Sequence, residues 1–236
     1  MAISTVSKLG AIIRSPIGKK LVTGITGLGL VLFVLVHMLG NLTLFISADA
    51  YNAYAYHLEN WGPLLYGIEA LLLVSVLFHA ALGIEIFASR LRSRPRVYAD
   101  YVSAGQKSAD RPSYQSVSSR TMIITGTLLA AFLVAHLLTF KFGSYYPGEV
   151  DGHQARDLAR LVIEKFQQLY FTLSYTAIMA FLGLHLRHGI WSALQSLGVL
   201  GQGVRPLVFG LGSLLALAIA AGFVALPWAI YAGFVG

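Results

Sequence analysis

Cysteine is absent from the 236 residues of this chain. Its absence excludes disulfide bonds, iron–sulfur clusters ligated by thiolates, and the C-x-x-C-H attachment of c-type haem. Any redox centre on this chain must therefore be held by other side chains.

Charged residues are also scarce. They make up 11% of the sequence, whereas hydrophobic residues make up 56%, and the mean hydropathy is +0.70. Soluble domains carry about 25% charged residues, so this chain has too few polar side chains to cover a surface in water. We expect much of its surface to face membrane lipid. The net charge of +7 fits basic cytoplasmic loops, and we expect no nucleic-acid partner.

The sequence contains several long apolar runs. A membrane-spanning helix needs about 20 mostly apolar residues. Five runs qualify, at about 21–46, 63–89, 121–141, 168–190 and 206–235. The first is longer than the apolar core of a secretory signal, about 7–15 residues, so we interpret it as a retained helix. The sequence predicts an all-α integral membrane protein forming a single membrane domain over residues 1–236.

The basic residues set the predicted orientation. Segment 1–20, loop 90–120 and the connection between the fourth and fifth runs hold most of the 17 Lys and Arg residues. The other connections carry more acidic side chains. Because basic loops remain in the cytoplasm, we expect a cytoplasmic N-terminus and an external C-terminus.

Histidines recur in the apolar runs. Two of the seven, His57 and His153, fall in predicted external loops. The other five lie in or at the end of the first four runs: His37 in the first, His79 in the second, His136 in the third, and His185 and His188 in the fourth. The fifth run has none.

The spacing places these histidines at two depths. With a rise of about 1.5 Å per residue, His37 and His136 lie about 25 Å from the inner membrane edge. His79 lies about 16 Å from the same edge, and His185 and His188 are near it too. Each level therefore receives histidines from two helices.

Two levels of paired histidines favour two stacked b-type haems, each with two axial imidazoles, inside a four-helix bundle with a fifth helix beside it. The outer haem b would use His37 and His136. The inner one would use His79 and a histidine of the fourth run, and we favour His185 because it lies deeper. His188 is the alternative ligand, or a contact to a propionate or a quinone. For any one histidine, a buried polar group bonded across helices is the competing interpretation.

Other polar residues are candidates for contacts to these cofactors. The possible propionate partners are Lys19, Lys20, Arg90 and Arg187; setting the topology is their alternative role. Glu69 lies within the second run and is a candidate for a quinone proton path, since an intramembrane carboxylate is often functional. Ser15, Ser192 and Gln195 are weaker quinone candidates near the inner edge, where ordinary helix-end polar residues also occur. No catalytic residue is predicted.

Two stretches resemble a known family. "SPIGKKLVTGITGLGLVLFVLVHMLGNL" (15–42) resembles the opening of the di-haem cytochrome b558 membrane anchor of succinate dehydrogenase and fumarate reductase, in its single-subunit, five-helix form. "GLHLRHGIWSALQSLG" (183–198) resembles the fourth helix of that family. The resemblance covers nearly the whole chain.

The resemblance implies partners as well as cofactors. Such an anchor binds a flavoprotein subunit that oxidises succinate and an iron–sulfur subunit that passes the electrons on. The acceptor is a quinone, often menaquinone, in a bacterial cytoplasmic membrane, and the same architecture serves fumarate reduction. The anchor alone is expected to be non-catalytic.

Two alternatives are compatible with the same residues. One is a di-haem cytochrome b of another respiratory oxidoreductase, such as a nitrate reductase, a hydrogenase or a formate dehydrogenase. The other is a channel or transporter without haem that uses buried His and Glu side chains as a proton relay. The first differs only in its partner, whereas the second predicts no haem absorbance.

Overall fold

The computed structural model describes residues 15–93, 116–201 and 203–235. Five of the helices in these ranges are long and apolar enough to cross a membrane. They are α1 (Pro16–Leu42), α3 (Pro63–Ser93), α4 (Ser116–His136), α6 (Leu169–Ser196) and α7 (Arg205–Tyr231). The prediction of an all-α membrane protein with five spanning helices is confirmed as far as helix length and apolar composition are concerned.

The ends of the first and fourth helices differ from the apolar runs. Helix α1 begins at Pro16, before the apolar run, because Ser15 is its N-cap and accepts a hydrogen bond from the Gly18 amide at 3.0 Å. Proline suits the first helical position, where no amide hydrogen is needed. Helix α6 continues beyond the predicted end to Ser196. Helix ends follow capping and packing, which an apolar count does not record.

The connections that were predicted as external loops contain regular structure. They hold α2 (Ala48–Glu59), the antiparallel strands β1 (Pro147–Val150) and β2 (His153–Arg156), and α5 (Leu158–Phe166). A 3-10 turn, Thr43–Phe45, follows α1, and a π-helical turn, Leu137–Lys141, follows α4. We call the end of the bundle that carries these elements the capped end, and the other the opposite end.

Local turn chemistry explains the hairpin between β1 and β2. Its two-residue loop is Asp151-Gly152, and both residues have positive φ, 51° and 77°. That geometry favours Asp-Gly, because its twist matches that of the flanking strands. The side chain of Asp157 then caps α5 by accepting from the Arg160 amide at 3.0 Å.

The capped end is joined to the bundle by one continuous apolar core. Its buried members come from the turn after α1 and from α2, α5 and α7: Leu44, Tyr51, Ala159, Val162, Phe166, Leu226 and Ile230. Asn52 on α2 donates to Asp157 at 2.8 Å and accepts from the Ala159 amide at 2.9 Å. Helices α2 and α5 are therefore fixed to each other over the ends of the spanning helices.

The spanning helices pack with α6 at the centre. Helix α6 contacts α1, α4 and α7, and α1 also contacts α3 and α7. Gly24 permits the close approach of α1 and α6, since a Cβ added there would lie 3.5 Å from the Ala193 Cα. Helices α1, α3, α4 and α6 form a four-helix bundle, and α7 packs outside it.

Candidate functional site

Two histidines meet in the half of the bundle near the capped end. His37 of α1 and His136 of α4 have ring centres 5.8 Å apart, with ring planes at 90°. We call them the capped-end pair. The first and third predicted spans thus bring their histidines to one level.

Two further histidines meet nearer the opposite end. His79 of α3 and His185 of α6 have ring centres 6.2 Å apart, with ring planes at 66°. We call them the opposite-end pair. All four helices of the bundle therefore contribute one imidazole each to two separate pairs.

Both separations suit a metal ion between the rings. A metal–imidazole bond is about 2 Å long, so the ring centres of two axial imidazoles on one ion lie about 6 Å apart. The two measured separations, 5.8 and 6.2 Å, agree with this value. In residues 15–93, 116–201 and 203–235, no three or more His, Asp or Glu side chains gather as a metal site. Each pair consists of two imidazoles, the number of axial histidines in a bis-histidine haem site.

Hydrogen bonds orient three of the four imidazoles. Nδ1 of His79 lies 3.1 Å from the Thr23 carbonyl oxygen, which accepts only, so Nδ1 carries the proton. Nδ1 of His185 lies 3.1 Å from the Thr125 hydroxyl. Nδ1 of His136 lies 3.2 Å from the Tyr175 hydroxyl. In each ring Nε2 is left for a ligand, the arrangement typical of metal-bound histidines.

His37 has a different neighbour. Its Nε2 lies 3.4 Å from Nδ2 of Asn41, a longer contact than an ordinary hydrogen bond. Asn41 is itself held in place, because its Nδ2 donates to the His37 carbonyl at 2.8 Å and the Tyr51 hydroxyl donates to its Oδ1 at 3.2 Å. Coordination through Nε2 of His37 would replace only this long contact. Burial raises the pKa of Tyr51, which keeps its hydroxyl protonated and able to donate.

Two glycines lie directly against the opposite-end pair. A Cβ added to Gly27 would lie 3.0 Å from Cε1 of His79, and one added to Gly126 would lie 3.3 Å from Cε1 of His185. Either side chain would press on the imidazole. These positions therefore favour glycine, which lets a ring approach closely.

Aromatic rings surround the capped-end pair. Phe33 stacks on His37 with ring centres 5.5 Å apart, and Phe132 lies 5.6 Å from His136. Tyr175 packs between the Phe132 and Phe166 rings, each 4.9 Å away. The capped-end histidines are therefore packed mainly among aromatic rings, with Asn41 and the Tyr175 hydroxyl as their polar contacts.

Most of the other predicted residues do not approach the histidine pairs. Lys19 forms an ion pair with Glu85, and Glu69 forms one with Lys141. The Arg187 guanidinium lies 5.0 Å from the centre of the Phe209 ring. Lys20 and Gln195 are exposed, Ser192 is half-buried, and Ser15 caps α1. The side chain of Arg90 lies outside the described part of the chain.

His188 lies one turn after His185 on α6. It is half-buried, and its buried Nδ1 has no hydrogen-bond partner among the described residues. The structure therefore brings His185, and not His188, against His79.

Sequence reasoning missed the residues that orient these imidazoles, although a repeated pattern contains one of them, Thr125. The pattern I-T-G-x5-F-x3-H occurs twice, and H-x3-G-I also occurs twice. The first pattern comprises Ile25, Thr26, Gly27, Phe33 and His37, and again Ile124, Thr125, Gly126, Phe132 and His136. The second comprises His79, Gly83 and Ile84, and again His185, Gly189 and Ile190.

The contacts repeat together with the pattern. Thr26 and Gly27 of α1 lie against His79, and Thr125 and Gly126 of α4 lie against His185. The bundle thus consists of two equivalent helical hairpins, α1 with α3 and α4 with α6. Each histidine pair contains one histidine from each hairpin, and the two histidines occupy equivalent positions in the repeat.

Comparison of the chain with protein-family models, curated proteins and solved structures finds no match.

Proposed function

We propose that this chain is the di-haem cytochrome b membrane anchor of a succinate:quinone oxidoreductase. The observation that carries the proposal is the presence of two imidazole pairs at two levels of one bundle, with ring centres 5.8 and 6.2 Å apart. Each spacing suits a metal ion with two axial histidines. The proposed location is the bacterial cytoplasmic membrane, with the N-terminus in the cytoplasm.

The chain's own residues would bind and orient the cofactors. His37 and His136 would hold one haem b, and His79 and His185 the other. When bound, the two haems supply one-electron transfer between the two sides of the membrane. Gly27 and Gly126 keep space beside the opposite-end rings, and the Phe33 and Phe132 rings lie against the capped-end pair.

The two ends of the bundle would serve different partners. At the opposite end, the basic segments would dock the flavoprotein and iron–sulfur subunits by charge complementarity. At the capped end, Glu69 is the carboxylate proposed to pass protons for a quinone, which the resemblance suggests is menaquinone. Its contact with Lys141 holds its carboxylate at that end. The choice of succinate dehydrogenase over another respiratory oxidoreductase depends on the resemblance alone.

The first experiment is a dithionite-reduced minus oxidised spectrum of the purified chain, with haem quantified as the pyridine haemochrome. We expect about two b haems per chain, since each site uses two axial histidines. His37→Ala should remove one haem and leave the other. His57→Ala is the matched control, because His57 is exposed on α2, away from both pairs.

A folded preparation without haem absorbance would overturn the proposal and favour the proton relay. The partner is tested separately, by purifying the tagged chain from its native membrane. Co-purification of covalent or tightly bound flavin with succinate:quinone activity is expected. The preparation could instead contain two haems together with nitrate reductase, hydrogenase or formate dehydrogenase activity. That result would support a di-haem cytochrome b and assign it a different partner.

A further inference from the structure

Thr125 is a buried hydroxyl in contact with the opposite-end pair. Its side chain is 1% exposed, and Oγ1 lies 3.1 Å from Nδ1 of His185. The hydroxyl hydrogen is directed to the carbonyl oxygens of Thr121 at 3.1 Å and Met122 at 3.2 Å. While it donates to these carbonyls, Oγ1 acts toward His185 as an acceptor, and this arrangement requires the proton of that ring on Nδ1.

The equivalent residue of the other hairpin makes a weaker contact. Thr26 Oγ1 lies 3.4 Å from Nδ1 of His79, which has the Thr23 carbonyl oxygen as its nearer acceptor at 3.1 Å. Loss of the Thr26 hydroxyl would leave that carbonyl in place. His185 has no such backbone acceptor in the described structure, so of the two opposite-end rings only that of His185 depends on a hydroxyl.

We propose that Thr125 is the positioning residue of the opposite-end haem: it fixes the tautomer of His185 and so directs Nε2 of that ring toward His79. This inference depends on the proposed function. It also assigns His185 as the ligand from α6, because Nδ1 of His188 has no comparable acceptor among the described residues. The repeated pattern agrees, since His185 is the equivalent of His79.

The hydrogen bond has a chemical consequence for a metal ligand. Donation from Nδ1–H to an acceptor makes Nε2 more electron-rich and fixes the ring. The Thr125 hydroxyl is a good acceptor because it donates to backbone carbonyls at the same time. A more electron-rich ligand stabilises ferric over ferrous iron. Loss of the acceptor should therefore raise the midpoint potential of that haem and weaken its retention.

The test is a redox titration of the full chain, solubilised from its membrane, with both haems followed by their absorbance. Thr125→Val keeps the shape and removes the hydroxyl. We expect one of the two midpoint potentials to move upward while the other stays. Thr125→Ser retains the hydroxyl and should restore the wild-type value.

Two threonine variants provide matched controls. Thr26→Val should leave both potentials unchanged, because the Thr23 carbonyl still accepts from His79. Thr127→Val removes a hydroxyl from the exposed face of α4 and should also have no effect. His188→Gln should retain both haems, whereas His185→Gln should lose one.

The outcomes separate this inference from the proposed function. Unchanged midpoint potentials in Thr125→Val, or equal shifts of both potentials, would overturn the role of Thr125. The proposal of a di-haem cytochrome would still stand. If Thr125→Val loses a haem, we expect Thr125→Ser to keep it, because serine retains the hydroxyl. Loss of the haem in both variants would also overturn the inference. A wild-type chain without haem would overturn the proposed function itself.

Discussion

Gly27 lies against the His79 ring, whereas Gly29, two residues further along α1, faces open space. A Cβ at position 27 would lie 3.0 Å from Cε1 of His79, and one at position 29 has no neighbour within 4 Å. Contacts as short as the first require the ring to move. These two glycines thus differ in a way that their sequence positions do not show.

We expect Gly27→Ala to be less favourable than Gly29→Ala by about 1 kcal/mol in the free energy of unfolding, because only the first Cβ has to displace a neighbouring ring. Gly29→Ala should be neutral or slightly stabilising, since alanine favours helix more than glycine does. Thermal unfolding in detergent, followed by circular dichroism, measures both without reference to haem. Equal effects of the two substitutions would contradict the close approach at Gly27.

The sequence located the histidines but not the partners that orient them. A histidine in an apolar run is visible from composition, and its depth follows from counting residues. The acceptors of His79 and His185 come from other helices, so they depend on how the helices rotate and pack. The repeated Ile-Thr-Gly pattern was the available signal, because it places Thr26 and Thr125 at the same distance before His37 and His136.

At the scale of elements, the capped end carries a small charged cluster around Glu164 of α5. Glu164 accepts from Tyr146 at 2.5 Å and from Arg160 at 2.9 Å, and the Arg160 guanidinium lies 4.3 Å from the Tyr146 ring centre. These hydrogen bonds, from Tyr146 first and then Arg160, lower the pKa of Glu164, and Lys165 contributes in the same direction. The cluster links α5 to the segment before β1.

This lowered pKa predicts that the stability of α5 depends on pH. Because the pKa of Glu164 is lower in the folded chain, the stabilisation is complete above its ordinary value of 4.5 and is lost as the pH falls through the folded value. Hydrogen exchange of α5 amides should be slower in wild type than in Glu164→Gln near pH 7. The two should converge in acid, and high salt should reduce the difference.

A control with the same change in charge is available on β1. Glu149→Gln removes a carboxylate at the capped end that makes none of these contacts, so its exchange should match wild type at every pH. A difference between wild type and Glu164→Gln that persists in acid would contradict the linkage.

Whole elements were predicted unequally well. Spanning helices follow from apolar length, which needs no knowledge of neighbours, and all five were found. Helices α2 and α5 and the hairpin were missed because a count of apolar residues treats polar segments as loops. Their local signals were present: Ser47 and Asp157 as N-caps, and Asp151-Gly152 as a hairpin turn.

At the scale of the whole molecule, the direction of the bundle in the membrane decides which end meets the soluble partners. All the described connections between α1 and α3, and between α4 and α6, lie at the capped end, whereas the connection between α6 and α7 lies at the opposite end. The positive-inside rule assigns the capped end to the outside. The proposed docking of the flavoprotein and iron–sulfur subunits requires that assignment.

The absence of cysteine makes this orientation directly measurable, since any introduced thiol is unique. Gln154→Cys places a thiol on the exposed hairpin of the capped end, and Val199→Cys places one at the opposite end, where Val199 is 63% exposed. In intact cells, a membrane-impermeant maleimide should label position 154 and should reach position 199 only after permeabilisation. Both positions are exposed, so each variant is the control of the other. The reverse pattern would put the capped end in the cytoplasm, and the soluble subunits would then have to dock on α2, α5 and the hairpin.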